Sequence, residues 1–203
     1  MALLQTIEFG WWRDRKGYRL AETEGRRKLL CVVRNGRGNK DLEFCRPLDR
    51  TSSLFHIFAS TATTPEGVLN FIQSYGPLDS DDEGQIVFEV IHHAQRMQSA
   101  LTWISQPQLR RKHSFGGRVT FDAWIDWDPV TSTPLWKVRP RTLLDGLWLQ
   151  FGQAVTRGAR IQTCVQCGAW FEAGRGTGRR LDSKFCSDEH RIAFNSLKRS
   201  REK

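Results

Sequence analysis

Four side chains narrow the choice of fold and chemistry more than anything else in the chain. They are Cys164, Cys167, Cys186 and His190, spaced C-x2-C-x18-C-x3-H. Zinc takes thiolate and imidazole donors at the corners of a tetrahedron. Two cysteines separated by two residues fit one tight turn, with both sulfurs aimed at one point. Gly168, next to the second of them, lets the chain turn away without a Cβ clash. Cys186 and His190 are four apart, so on the first turn of a helix they share a face. One turn and one helix end then close a site, and one structural Zn2+ per chain is expected. Four protein ligands leave no open position for a catalytic water. A Cys-x-x-Cys pair also occurs in thiol oxidoreductases, but there it opens a helix after a strand.

The other two cysteines carry no such spacing. Cys31 lies in Leu-Leu-Cys-Val-Val, and both it and Cys45 read as small buried hydrophobes. Five unevenly placed cysteines argue against a secreted disulfide scaffold and for a reducing compartment, the cytoplasm. Met1 to Glu8 turns polar too soon for a secretory leader. No apolar run approaches the roughly 18 residues needed to cross a bilayer, so no membrane partner is expected.

At 203 residues the chain can hold one core-bearing domain and a small appendage. The expected class is α+β: a larger mixed domain over 1–158 that senses a ligand or dimerises, then a zinc knuckle with a basic helix over 159–203. In the first part, Arg19–Ala21 and Leu29–Val33 are β-prone, and strands and turns are expected to about residue 58. Trp11-Trp12 reads as a core anchor. Thr64-Pro65-Glu66 starts a helix, with Val68, Leu69, Ile72 and Tyr75 on one face and Gly76-Pro77 ending it. A longer helix is predicted from Glu83 to Ile104, capped by Asp81 or Asp82, with Pro107 beyond its end. Its stripe is Ile86, Val90, Ala94, Met97, Leu101 and Ile104.

Arg118–Trp127 alternates, with Val119, Phe121, Ala123, Ile125 and Trp127 on one side, and reads as a half-buried strand. Asp128 to Pro134 is a turn-rich loop, and Leu135–Val138 returns as a hairpin partner. Leu143–Thr156 is a helix with Leu144, Leu147, Trp148, Phe151 and Val155 facing the core, stopped by Gly158.

The formal net charge is +9, which points to a polyanionic partner. Phe151 to Lys203 holds eleven Lys and Arg against five Asp and Glu, a net of +6 in a quarter of the chain. Two groups of bases stand out. Arg175, Arg179, Arg180 and Lys184 lie between the ligand pairs. They offset the local charge of three thiolates around a dication, but exceed what that needs. Gly174 to Arg180 could also form an Arg-Gly arm for a phosphate or a minor groove. Beyond His190, a helix to about Arg201 would turn His190, Phe194 and Leu197 inward. It would present Arg191, Asn195, Lys198 and Arg199 outward, as groups suited to base edges and phosphates.

Cys164, Cys167, Gly168, Phe171, Phe185, Cys186, Ser187, His190 and Arg191 together follow the form C-x-x-C-G-x-x-F, a basic linker, then F-C-S-x-x-C/H-R and a basic helix. This segment, about residues 160 to 201, resembles the C-terminal zinc finger of bacterial CGNR-type transcription regulators, a treble-clef-like knuckle. His190 stands where that family has a fourth cysteine, and Arg191 follows directly where it has Gly-Asn. The resemblance implies nucleic-acid binding and transcriptional control.

The expected function is therefore zinc-dependent binding of duplex DNA. Two other readings use the same features. One is a protein-interaction module, adaptor or antitoxin-like, including a homodimer. The other is RNA binding, with Trp170 and Phe171 as stacking platforms. Catalysis is not expected. Asp122, Asp126 and Asp128 could form a carboxylate cluster, but two of them simply occupy the polar face of a strand. His92-His93 sits within a helical pattern and reads as surface.

Overall fold

A computed structural model describes residues 6–7, 9–23, 28–50, 53–79, 84–106, 119–127, 130–174 and 176–201. Asp81, Asp82, Glu83, Pro107, Arg118, Asp128, Pro129 and Arg175 lie outside the described residues, as does the side chain of Lys198. The order is β1 (Thr6–Ile7), β2 (Trp11–Asp14), β3 (Tyr18–Glu22), β4 (Leu30–Arg34), β5 (Leu42–Cys45), α1 (Pro47–Arg50), α2 (Leu54–Thr61) and α3 (Pro65–Tyr75). It continues with β6 (Gln85–Ile86), α4 (Val87–Ser105), β7 (Phe121–Trp127), β8 (Pro134–Pro140), α5 (Leu143–Thr156), β9 (Arg160–Thr163), β10 (Trp170–Ala173) and α6 (Asp188–Arg201). The class is α+β.

Among the described residues, the strands form four small sheets, and the core is mostly helical. β2 pairs antiparallel with β5, β3 with β4, and β9 with β10. β6 extends the β3–β4 pair, while β7 and β8 form a hairpin that β1 joins in parallel through β8. Asp14 closes the β2–β3 turn: its carboxylate accepts from the Lys16 and Gly36 amides and pairs with Arg34.

α2, α3, α4 and α5 supply most of the core, led by Phe55, Phe58, Phe71, Met97, Leu101, Leu143 and Leu147. Full burial of each such side chain stabilises the fold by roughly 1.5–3 kcal/mol. Helix starts follow the expected chemistry at two places. Thr64 Oγ1 accepts from the Gly67 amide, and Thr142 Oγ1 from the Asp145 amide. Asp145 in turn accepts from the Thr120 amide and hydroxyl, which ties the root of β7 to α5.

The structure corrects several sequence expectations. Leu54–Thr61 is helical rather than extended, because Leu54, Phe55, Phe58, Ala59 and Ala62 repeat at helical spacing and are all buried. α4 begins at Val87, since Gln85 and Ile86 are drawn into a ladder with Val32 and Cys31. Only Trp11 of the tryptophan pair anchors the core, donating its indole N–H to the Pro77 carbonyl at 2.7 Å. Trp12, its neighbour on a strand, points the other way and is exposed. Val155 is exposed and Ala154 takes its place inside. The apolar side of β7 faces solvent, because the residues opposite it on β8 pack on the body only at Val138 and Pro140.

Candidate metal centre and its basic surroundings

The turn between β9 and β10 brings the first two ligands together. The Cys164 amide donates to the Ala169 carbonyl and the Gly168 amide to the Cys164 carbonyl, both at 2.8 Å. Gly168 has φ +71, a left-handed conformation that a side chain would strain, as its place after the second cysteine suggested. The second pair sits at the start of α6. Ser187 caps that helix, its Oγ accepting from the His190 amide at 3.3 Å, and Asp188 and Glu189 place acids in the positive first turn. The Val165 amide donates to the Lys184 carbonyl at 3.0 Å and holds the two halves in register.

The four ligand atoms lie within 4.8 Å of one another. Cys167 Sγ is 3.7 Å from Cys186 Sγ, Cys164 Sγ is 3.9 Å from His190 Nδ1, and Cys186 Sγ is 2.9 Å from the same nitrogen. A tetrahedral zinc with ordinary bond lengths sets edges of roughly 3.7 Å between sulfurs and about 3.5 Å between sulfur and nitrogen. The cluster's edges bracket those of a zinc site, and Nδ1 is the His190 nitrogen that faces the sulfurs and would ligate.

The charge balance of the thiols also fits a cation. Burial alone would raise the Cys164 thiol, but the backbone amides of Cys186, Cys167 and Gln166 outweigh it and bring its pKa down to about 6. Burial and the neighbouring Cys167 and Cys164 sulfurs push Cys186 up to about 12. Three sulfurs this close cannot all ionise unaided, and a bound dication removes that conflict.

Small contacts back the site. Cys164, Phe171 and Ala173 form a separate apolar cluster with Phe185 and Cys186 against it. Phe194 on α6 meets Phe185 with ring centroids 5.3 Å apart and the rings tilted by 53°. Leu197, expected to turn inward, is exposed, because the helix has run past the knuckle by that point. Arg179 donates to the Cys186 carbonyl and lies 5.9 Å over the Phe171 ring. Phe171 is buried, so its ring presents no open face of the kind a stacking platform needs, while Trp170 is half-buried and packs on the main core.

The bases predicted from sequence divide into two sets. Arg179, Arg180, Lys184 and Arg191 line one groove of about 920 Å3 between the 177–187 segment and the start of α6, with Asp182, Asp188 and Glu189. Asn195 and Arg199 continue along α6, exposed. Arg191 is exposed too, with its Nε donating to Asp188 at 3.1 Å. The Gly174–Arg180 stretch does not extend as an arm. Gly174 and Arg179 form a β-bridge, and Thr177 Oγ1 donates to the Gly174 carbonyl at 2.8 Å.

One feature had no signal in the sequence. Glu172 of β10 is buried against the helical body, accepting from Ser53 Oγ at 2.7 Å and from the Arg157 guanidinium. His56 Nε2 stands 3.6 Å from the same carboxylate, too far for a hydrogen bond, and burial holds the pKa of His56 down. Burial opposes ionisation of Glu172, but His56, Ser53 and Arg157 outweigh it and lower its pKa. These residues come from α2, its N-terminal flank, the end of α5 and β10, so no spacing pattern could announce them.

Asp122 and Asp126 form no cluster: the first pairs with Arg141 and the second with Lys137. No helix of the described residues is long and apolar enough to cross a membrane. Comparison with protein-family models, with curated proteins and with solved structures gives no match.

Proposed function

We propose that the chain is a zinc-dependent DNA-binding protein of the bacterial transcription-regulator kind, in which a structural zinc fixes the first turn of α6 and aims that helix at duplex DNA. The observation that carries this reading is the position of the Cys3His cluster at the root of α6. From there Arg191, Asn195 and Arg199 run along the exposed side of the helix at intervals of one turn. A metal-pinned helix of this sort can enter a major groove, with Arg and Asn suited to guanine and adenine edges. Arg180 and Lys184 flank its start and are suited to phosphates. The resemblance of residues 160–201 to the CGNR-type finger supports the same reading. The reading assigns no catalysis, takes the zinc as structural, and puts the protein in the reducing cytoplasm, where thiolate ligands persist.

A second reading rests on a specific observation. Ile192 and Leu197 are exposed on α6, so the helix also offers apolar surface to another protein. The test separates the two. Binding of the zinc-loaded chain to mixed-sequence duplex DNA is measured across a salt series, beside the full-length variant Arg191→Ala/Lys198→Ala/Arg199→Ala. Loss of affinity with retained zinc, and a log–log salt slope shallower by about 0.9 for each phosphate contact removed, supports the DNA reading. Unchanged affinity in the triple variant sinks the proposed surface. Competition by single-stranded RNA in place of duplex would transfer the reading to RNA.

A further inference from the structure

The three sulfurs of the candidate metal centre are not equally sheltered. Cys164 is 2% exposed, set against the apolar cluster of Phe171 and Ala173. Cys167 is exposed in the turn between β9 and β10, where Gly168 and Ala169 are exposed beside it. Cys186 is half-buried at the root of α6. Its Sγ lies 3.7 Å from Cys167 Sγ. The open sulfur is therefore already in contact with one from the other half of the knuckle. Bound zinc holds all its cysteine ligands as thiolates, so access rather than ionisation ranks them. Reactive cysteines are partly exposed and stand near cationic groups, whereas buried structural ones are inert. Arg179 supplies such a group, donating to the Cys186 carbonyl. The two cysteines outside the centre, Cys31 and Cys45, are buried.

From this asymmetry we infer that Cys167 is a site of oxidative modification by hydroperoxides, and that its oxidation joins it to Cys186 in a disulfide that expels the zinc and frees the first turn of α6. The inference rests on the structural zinc of the reading above. With hydrogen peroxide, the Cys167 thiolate attacks one oxygen. The O–O bond breaks, a sulfenic acid forms and hydroxide leaves. The Cys186 thiolate then attacks the Cys167 sulfur. The S–S bond forms, the S–O bond breaks and a second hydroxide leaves. The two thiolates have lost two electrons and the peroxide has gained them. Cys164 and His190 are then the remaining donors, two of the four that a closed zinc site takes. A small thiol reductant returns both cysteines to the reduced state, and zinc can rebind.

The test treats the full-length, zinc-loaded wild-type chain with hydrogen peroxide in the presence of a colorimetric zinc indicator. The products are alkylated and mapped by peptide mass spectrometry, and zinc content is measured before treatment. One zinc per chain should appear in step with one disulfide, and the denatured mass should fall by about 2 Da. The linked peptides should be those of Cys167 and Cys186, with Cys31, Cys45 and Cys164 still open to alkylation. Dimedone present during oxidation should mark Cys167 first. Dithiothreitol and added zinc should restore the starting state. A loaded chain that keeps its zinc while a free control thiol is fully oxidised overturns the inference and leaves the metal centre standing. So does a disulfide between Cys164 and Cys167, or a first dimedone mark on Cys164. A chain that holds no zinc before treatment overturns both.

Discussion

The chain builds two antiparallel hairpins late in its sequence, and they use opposite strategies. β7–β8 is long, with seven residues in each strand, strongly alternating and rich in aromatics, yet it sets its apolar side in solvent. β9–β10 is short, with four residues in each strand, but Ile161 and Trp170 join the main core, Phe171 backs the ligand cluster and Glu172 sits buried beside His56. Length and alternation thus say how strongly a hairpin is specified, and they do not say what covers it. The covered hairpin is the one that carries the ligands. Its rigidity comes from the helical body below and, in the proposed reading, from the metal above.

The largest expected contrast between the hairpins comes from the metal. Chelation, or Cys164→Ser, should release the ion and destabilise the whole chain, because Ile161 and Trp170 are part of the common core. Structural zinc in small fingers is worth on the order of 10 kcal/mol, so this should exceed every single substitution elsewhere. Denaturant unfolding followed by tryptophan fluorescence, with and without chelator, measures it. A chain equally stable with and without chelator would break the contrast.

Next comes the Glu172 clasp. Glu172→Ala should cost about 2–3 kcal/mol, less than the roughly 3–5 kcal/mol of fully buried pairs, because the Arg157 side chain is 40% exposed and partly screened. The same cluster sets an acid-side signature. His56 is held below its ordinary 6.5, so the unfolded chain binds more protons than the folded one beneath that value. Stability should therefore fall as pH drops through about 6.5, the ordinary histidine value, and His56→Leu should shrink that loss, leaving the part contributed by His93, which burial also holds down. Glu172 is also depressed, from 4.5, so its contribution is present above that value and is lost as pH falls further. Melting temperature against pH for the wild type and both variants resolves the two losses.

Smaller still is Gly168→Ala. With φ +71 and open space where a Cβ would go, its cost is purely conformational, about 1 kcal/mol. The smallest effect belongs to the other hairpin. Ile125→Glu should change the stability of the chain by less than about 0.5 kcal/mol, since it alters an exposed position. A cost above 2 kcal/mol there would mean that the two hairpins are packed alike.

The same comparison explains what could be read from the sequence. Where one stretch of chain contains its own explanation, the residues gave it away. Thr64 caps its helix with a local bond, Leu143–Thr156 has its expected limits, and the four candidate ligands lie in two tight local pairs. Where the explanation lies across the fold, it was hidden. Leu54–Thr61 carries its buried residues at helical spacing, but Ile57 among them is also apolar and the segment is only eight residues long, so the period is hard to tell from a strand until α4 and α5 enclose it. Gln85 and Ile86 carry no sign of the β4 edge that claims them. Glu172, His56 and Ser53 meet from positions up to 119 residues apart. The α6 stripe was legible as far as Phe194, and Leu197 escaped it because the sequence does not tell how far the knuckle reaches.

The most direct test is native mass spectrometry of the full-length chain, purified under reducing conditions without chelator, beside Cys186→Ser and His190→Ala. The account predicts one zinc bound to every wild-type chain, and its loss or marked weakening in both variants. A wild-type chain that flies metal-free with intact thiols, or one whose zinc is indifferent to Cys186 and His190, would contradict it.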